Sequence, residues 1–409
     1  MLLEIFIFLT LAFPKAGMMI SGVPVTVAEL LFGLIFIVSF IQIKKINVSF
    51  EMIVLYLIYS LFLLINLAFN IEGTNISSIF TLFILMISPI AFLIGKLVDR
   101  VRFVKYVTSA VIITSLFAIL QKSFGVLNVN VQGITESFGT AIQYKPIGLV
   151  SDGMAFKMPS TYQNGNGLGL FLALSLPLLI GYRFDNRIWQ AVKNISLILG
   201  LIGLILSGTR SSMIPFFIFV PYILYLFFKR NFNKAITWIV VVVSLLILLI
   251  IYFYYVRPAF IFNFFDDYIL RTINDKTGNQ RIPQIRILFN QLREDTGISY
   301  LRDILIGVPW VNSYALEGVF SVIGYHGFLG LPILYGLWIS PIFYIWKKNK
   351  FIAIGLLFNI IAWMVDGSFN FPPYLMNYFL FVGVGINWKD ERIEKNSHSD
   401  GGSATGSRS

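Results

Sequence analysis

Long apolar runs separated by short polar loops dominate the chain. A membrane-spanning helix needs about 20 mostly apolar residues, and about twelve runs approach that length. The longest run is too long for one simple crossing, so we expect it to begin as a surface or bent segment around Glu317. The runs cover residues 1–13, 25–43, 50–70, 78–97, 102–121, 165–182, 192–207, 210–228, 234–255, 315–346, 350–366 and 371–387.

This pattern predicts an all-α polytopic membrane protein of about 12 transmembrane helices, with residues 1–390 in a single membrane domain. The first run lacks a basic leading region and a small-residue cleavage site. We therefore expect a membrane helix there rather than a signal peptide. Residues 391–409 are predicted to be a cytoplasmic tail, and their ending from Gly401 to Ser409 is typical of a cloning remnant.

The composition excludes several classes of protein. Hydrophobic residues make up 57% of the chain and charged residues only 12%, whereas soluble domains carry roughly 25% charged residues. The absence of cysteine excludes disulfides and thiol catalysis. The histidines are His326 and His398 alone, and Asp266–Asp267 is the only close pair of aspartates. We therefore expect no metal site and no cofactor.

The net charge of +11 raises the possibility of a nucleic-acid partner. Most basic residues, however, fall in alternate short loops, as the positive-inside rule requires, and Lys15 and Arg210 are the exceptions. We expect no nucleic-acid partner and both termini in the cytoplasm. The loops predicted to face the cytoplasm contain Lys44, Lys45, Lys96, Arg100, Arg102, Lys105, Arg183, Arg187, Lys193, Lys229, Arg230, Lys234, Lys347, Lys348 and Lys350.

Two long segments, about 122–164 and 256–314, are predicted to face outward, and the second lies between predicted helices nine and ten. Long loops translocate regardless of charge, so the basicity of the second loop has a neutral explanation. Its excess of arginine over lysine favours phosphate recognition instead, because the planar guanidinium binds phosphate in a bidentate way. The basic residues of this loop are Arg257, Arg271, Lys276, Arg281, Arg286, Arg293 and Arg302.

Residues 283–295 of this loop are predicted to form a short amphipathic helix. Apolar side chains recur at the helical spacing i, i+3, i+4 and i+7, and Arg286 and Arg293 lie on the opposite side. Such a helix can lie in the membrane interface, where its arginines would meet a lipid-linked phosphate. The apolar positions are Ile285, Leu288, Phe289 and Leu292.

Two polar motifs lie at the ends of apolar runs on the predicted outer face. Arg210 stands among serine, threonine and glycine residues, which favours a hydrated functional position over an arginine that snorkels to the interface. Asn164 and Asn166 open the sixth run, in a stretch rich in glycine. They can cap the helix or contact a substrate, and both interpretations stay open.

Three further residues are candidates for chemistry. Glu317 begins the tenth run, where it can accept a proton from a sugar hydroxyl or pair with an arginine of the preceding loop. His326 is more simply explained as a packed, hydrogen-bonded residue than as a catalyst. Both His326 and Tyr314 are candidates for a substrate pocket.

Taken in order, these motifs resemble the superfamily of O-antigen and capsular polysaccharide polymerases (Wzy-type) and O-antigen ligases. The resemblance covers about residues 160–345 in detail and the whole chain in topology. The last part of the series is an acidic residue that lies shortly before a glycine-rich stretch. The motifs are Asn164-Gly165-Asn166-Gly167-Leu168-Gly169, Ser207-Gly208-Thr209-Arg210-Ser211-Ser212, Gly278-Asn279-Gln280-Arg281, Ile306-Gly307-Val308 and Gly327-Phe328-Leu329-Gly330.

The resemblance implies a metal-independent membrane glycosyltransferase of the GT-C kind, acting on undecaprenyl-diphosphate-linked glycans at the outer face of a bacterial cytoplasmic membrane. A polymerase joins repeat units, whereas a ligase transfers the glycan to a lipid A core. In either case Arg210 and Arg281 or Arg286 would hold the diphosphate, with Arg293 as a further candidate. A chain-length regulator stays open as a partner.

One position separates the two activities. Ligases of this superfamily place a histidine before the glycine that corresponds to Gly327, and the matching position here is Leu316, next to Glu317. A polymerase is therefore favoured. From a different class, a transporter or flippase for lipid-linked oligosaccharides is the alternative, but the unequal loops of the two halves do not indicate an internal repeat.

Overall fold

The computed structural model describes residues 2–20, 23–41, 50–71, 76–138, 157–228, 297–307, 318–370 and 372–388. These residues are mostly helical. The helices are α1 Leu2–Ala12, α2 Val27–Ile41, α3 Phe50–Phe69, α4 Ile76–Ile87, α5 Ala91–Leu97, α6 Arg100–Phe124, α7 Val126–Val129, α8 Gly165–Gly181, α9 Arg187–Leu206, α10 Arg210–Phe228, α11 Ile298–Ile306, α12 Gly318–Lys348, α13 Lys350–Trp363 and α14 Pro372–Ile386.

Each predicted apolar run within the described ranges coincides with helix, and the run 234–255 lies outside them. Among the described residues, α3, α6, α9 and α12 are the four helices long and apolar enough to cross a membrane. The structure therefore supports a helical, membrane-embedded protein. The total of about 12 crossings, the orientation and the outer loop stay predictions.

Within the described ranges, two short strands depart from a purely helical fold. β1 (Gly17–Ile20) pairs antiparallel with β2 (Val23–Thr26), and both lie between α1 and α2. β1 also pairs with the chain at Phe138, whose backbone N–H donates to Gly17 and whose carbonyl accepts from Met19. This links the first loop to the segment that follows α6 and α7.

The core is built around α8. Residues 167–179 are all buried, because α6, α9, α10 and α13 pack around this helix. A helix that is apolar and buried on every side belongs to the interior of a bundle rather than to its surface. The N-terminal end of α8 is consequently held in place by several neighbouring elements.

The longest apolar run is broken at Gly327, which has φ 64° and ψ −174°. A bend was expected around Glu317, which lies outside the described residues. A Cβ at Gly327 would stand 2.3 Å from the Leu305 carbonyl of α11, a helix at the end of the predicted outer loop. The Asn66 amide of α3 stabilises the contact between α11 and α12, since it donates to the carbonyls of Ile306 at 2.6 Å and Tyr325 at 2.9 Å.

Candidate functional site

Polar side chains converge where α8 begins. Asn164 is the N-cap of this helix, since its side chain accepts a hydrogen bond from the Gly167 N–H at 3.0 Å. This satisfies one of the backbone donors that a helix leaves unpaired in its first turn. Asn164 therefore caps α8, and its contact with a substrate stays a prediction.

The glycines of the motif let α8 approach its neighbours closely. A Cβ at Gly165 would stand 2.3 Å from the Ser207 carbonyl oxygen, and one at Gly167 would stand 2.1 Å from the Tyr374 hydroxyl. The Thr209 hydroxyl donates to the Gly165 carbonyl at 2.7 Å. Because α10 begins at the next residue, the N-terminal ends of α8 and α10 adjoin. Both ends carry the positive pole of a helix dipole.

Asn166 is the centre of the polar cluster. Its side-chain oxygen accepts a hydrogen bond from the Lys157 ammonium at 3.0 Å and lies 3.4 Å from the Thr209 hydroxyl. Its side-chain nitrogen donates to a carboxylate oxygen of Asp366, in the turn that follows α13. A lysine can only donate and an ionised aspartate can only accept, so the two partners define the orientation of the amide.

Arg210 is the first residue of α10, directly after Thr209, and its side chain is half-buried. Arg210 and Lys157 therefore place two cationic side chains at the edge where two helices begin. Helix N-termini bind phosphate and other anions because their N–H groups and dipoles favour negative charge, and lysine and arginine strengthen that preference. The arrangement is suited to a phosphate or diphosphate group.

The segment entering this site is held in an unusual conformation. Ser160 has a positive φ of 55° although it is not glycine. Its N–H donates to the Gln121 side-chain oxygen at 2.7 Å, and its carbonyl accepts from the Gln121 nitrogen at 3.1 Å. The Tyr162 hydroxyl donates to the Leu11 carbonyl at 2.6 Å. A residue keeps a sparsely populated backbone conformation only where the surrounding contacts hold it there. Such residues are often found at functional sites.

Sequence reasoning missed Lys157 and Asp366. Lys157 is an isolated lysine in a long loop, and its proximity to Asn166 depends on the tertiary fold. Asp366 carried a usable signal, because an acidic residue at the end of an apolar run is costly near a membrane and is functional by default.

His326 lies at the break in α12 rather than in this cluster. Its side chain is 1% exposed, its ring centroid is 6.4 Å from that of Phe62, and its Cβ would contact a Cβ placed at Gly330. This packing favours a structural role over contact with a substrate. Its role as a substrate-pocket residue stays a prediction.

Five predicted site residues lie outside the described residues, so their roles also stay predictions. They are Arg281, Arg286, Arg293, Tyr314 and Glu317. Within the described ranges, no group of three or more histidine, aspartate or glutamate residues is placed to hold a metal ion.

Among known proteins, no family model and no curated protein matches this chain. The residues themselves and the cluster around Asn166 therefore indicate the function.

Proposed function

We propose that the protein is a polysaccharide polymerase of the O-antigen polymerase and ligase superfamily. It joins oligosaccharide repeat units that are linked to undecaprenyl diphosphate, at the outer face of the cytoplasmic membrane. The observation that carries this proposal is the pair of cations, Arg210 and Lys157, at the adjoining N-terminal ends of α8 and α10.

The reaction creates negative charge at one place. The acceptor hydroxyl oxygen forms a bond to the anomeric carbon of the donor, the bond from that carbon to the diphosphate oxygen breaks, and the diphosphate departs with the electron pair. Cations and helix N-termini placed beforehand at the diphosphate stabilise this developing charge. We assign this role to Arg210 and Lys157, together with Arg281 or Arg286 from the outer loop.

A carboxylate is needed to take the proton of the acceptor hydroxyl. Glu317 retains this proposed role. Asp366 is the carboxylate that the described residues place at the cluster, and the amide of Asn166 orients it. Either group can serve as the base, and variants of the two separate their contributions.

The proposed membrane arrangement follows the loop charges. About 12 helices of a GT-C-like fold cross the membrane, both termini are cytoplasmic, and the cluster faces outward. The cluster lies at the ends of helices and not in the middle of a span, which suits chemistry at the membrane surface better than transport through it.

The test is polymerisation by purified protein supplied with a lipid-diphosphate-linked repeat unit. The unchanged protein should produce a ladder of glycan lengths, whereas Arg210→Ala, Lys157→Ala and Arg281→Ala should leave single units. Loss of one charge-assisted contact to the leaving group is expected to slow extension by roughly 10²–10³-fold.

Arg187→Ala is the matched control, because Arg187 is also the first residue of a helix, α9, but is exposed and remote in sequence from the cluster. It should extend chains normally. Polymer of normal length from Arg210→Ala and Arg281→Ala would overturn the proposal. Transfer that requires a lipid A core acceptor would identify a ligase, and transfer of intact lipid-linked units across the bilayer would identify a flippase.

A further inference from the structure

The segment after α6 largely has the reverse of the polarity expected for a loop in water; the exceptions are Asn128 and Gln132, which are exposed, and Val126, which is buried. Its polar residues Thr135, Glu136 and Ser137 are buried, and Glu136 is only 3% exposed. Its large apolar residues point outward, led by Leu127 at 69% and Phe138 at 61% exposed. Loops that face water normally expose their polar side chains and bury their apolar ones.

The adjoining strand continues the same surface. Met18 and Ile20 of β1 are both more than half exposed, and Met18 pairs with Phe138 across the small sheet. We call this unit, residues 17–20 and 126–138, the cap. The exposed apolar side chains of the cap are Met18, Ile20, Leu127, Val131, Ile134 and Phe138.

Buried hydrogen bonds hold the cap in this orientation. The Asn130 amide donates to the Glu136 carboxylate at 3.2 Å and accepts from the Gln121 amide at 3.0 Å. The Ser137 hydroxyl donates to the Lys15 carbonyl at 2.9 Å. The polar groups are thus satisfied within the protein, so turning them toward water would break these bonds.

The outward apolar surface is continuous with a membrane helix. Leu116, Leu120 and Phe124 recur every fourth residue on α6, and all three are exposed. This line of side chains leads directly into Leu127 of the cap. Because α6 is long and apolar enough to cross a membrane, its exposed apolar line is the face that lipid would cover.

We propose that the cap is embedded in the interfacial layer of the membrane, with its apolar side chains among the acyl chains at the end of α6. The inverted polarity and the continuity with α6 both identify lipid as the occupant of this surface. Lys122, exposed in the last turn of α6, is placed to reach the lipid phosphates from the edge of the cap.

The embedded cap has a consequence for the polar cluster. Gln121 binds the cap through Asn130 and also binds the backbone of Ser160, four residues before the N-cap of α8. The cap therefore fixes the height of the cluster relative to the lipid surface. This inference concerns membrane contact alone and does not depend on the proposed activity.

The chain contains no cysteine, so single cysteines can be introduced without removing any. Leu127→Cys and Phe138→Cys would each carry a nitroxide spin label in protein reconstituted into phospholipid vesicles. Leu120→Cys, on the exposed line of α6, is the lipid-facing reference. Arg187→Cys, at an exposed helix start, is the water-facing reference.

If the cap is embedded, labels at Leu127 and Phe138 collide more often with oxygen than with a water-soluble nickel chelate, at depths between those of the two references. Nickel accessibility equal to that at Arg187 would overturn the inference and place the cap in water. Dipolar broadening that grows with protein density would also overturn it, because the surface would then pack against a second copy. Two labelled positions make the result independent of the folding of either variant.

Discussion

The side-chain amide of Asn166 donates a hydrogen bond to the carboxylate of Asp366, 200 positions away in the chain. The same amide accepts a hydrogen bond from Lys157, so one side chain joins an acid and a base at the start of α8. This contact connects the turn after α13 to the helix N-terminus that forms the proposed anion site.

Substitutions of Asp366 and Asn166 can distinguish a structural role of their hydrogen bond from a catalytic role of the carboxylate. We expect Asp366→Asn to lower the free energy of unfolding by about 1–3 kcal/mol, because two amides replace a charge-assisted hydrogen bond. We also expect it to reduce polymer extension by at least about tenfold. Thermal unfolding in detergent and the ladder assay measure the two effects.

The exchanged double variant Asn166→Asp/Asp366→Asn supplies the control. It restores an acid–amide pair, so its unfolding midpoint should recover toward that of the unchanged protein. If extension recovers as well, Asp366 only holds the site together. If stability recovers and extension does not, a carboxylate is required at position 366 itself.

The break in α12 should depend on Gly327. Its φ of 64° with ψ of −174° is a region that only glycine occupies readily, and a Cβ there would meet the backbone of Leu305 at 2.3 Å. We expect Gly327→Ala to cost at least about 1–3 kcal/mol from the backbone conformation alone. Gly336→Ala on the same helix is the control, because nothing lies within 4 Å of its added Cβ. That change should be neutral or stabilise by about 0.5–1 kcal/mol, and equal unfolding midpoints for the two variants would contradict the expectation.

Asn66 should be needed to stabilise the contact between α11 and α12. Asn66→Leu leaves the carbonyls of Ile306 and Tyr325 without this donor, and an unsatisfied buried acceptor costs about 1–3 kcal/mol. We expect a lower unfolding midpoint and faster amide exchange in α11. Leu61→Ala, an exposed change on the same helix α3, should have little effect. An unaltered exchange rate in Asn66→Leu would show that the amide is dispensable.

Lys15 should make stability depend on pH. Burial lowers the pKa of the Lys15 ammonium from the usual 10.5, and the nearby Glu136 carboxylate opposes this shift. In the window just below pH 10.5 the unfolded chain therefore binds more protons than the folded one, so stability rises with pH through this residue. Lys15→Met should lose that rise. As the pH approaches 10.5, the unfolding midpoint of the unchanged protein should rise relative to that of Lys15→Met. Parallel pH profiles of the two proteins would refute the assignment.

The positions of the helices were predictable because they depend on local properties. The apolar runs of α3, α8 and α10 are visible in the sequence at nearly the observed limits, and Asn164 precedes the first residue of α8 as a typical N-cap. Arg210 was also identifiable, since a charged residue beside an apolar run is rare unless it has a role. Each of these inferences uses only neighbouring residues.

The amino-acid sequence was sufficient to predict a helical membrane protein, the limits of most helices and the choice of Asn166 and Arg210 as candidate site residues. The three-dimensional fold was needed to show that Lys157 and Asp366 meet at Asn166, that the cap turns its apolar side outward and that α12 breaks against α11. Apart from the contact of Lys157 with Asn166, which spans nine positions, those features depend on contacts between segments far apart in the chain. Hydrophobic periodicity records which residues avoid water, but it does not record which distant residues satisfy one another's hydrogen bonds and charges.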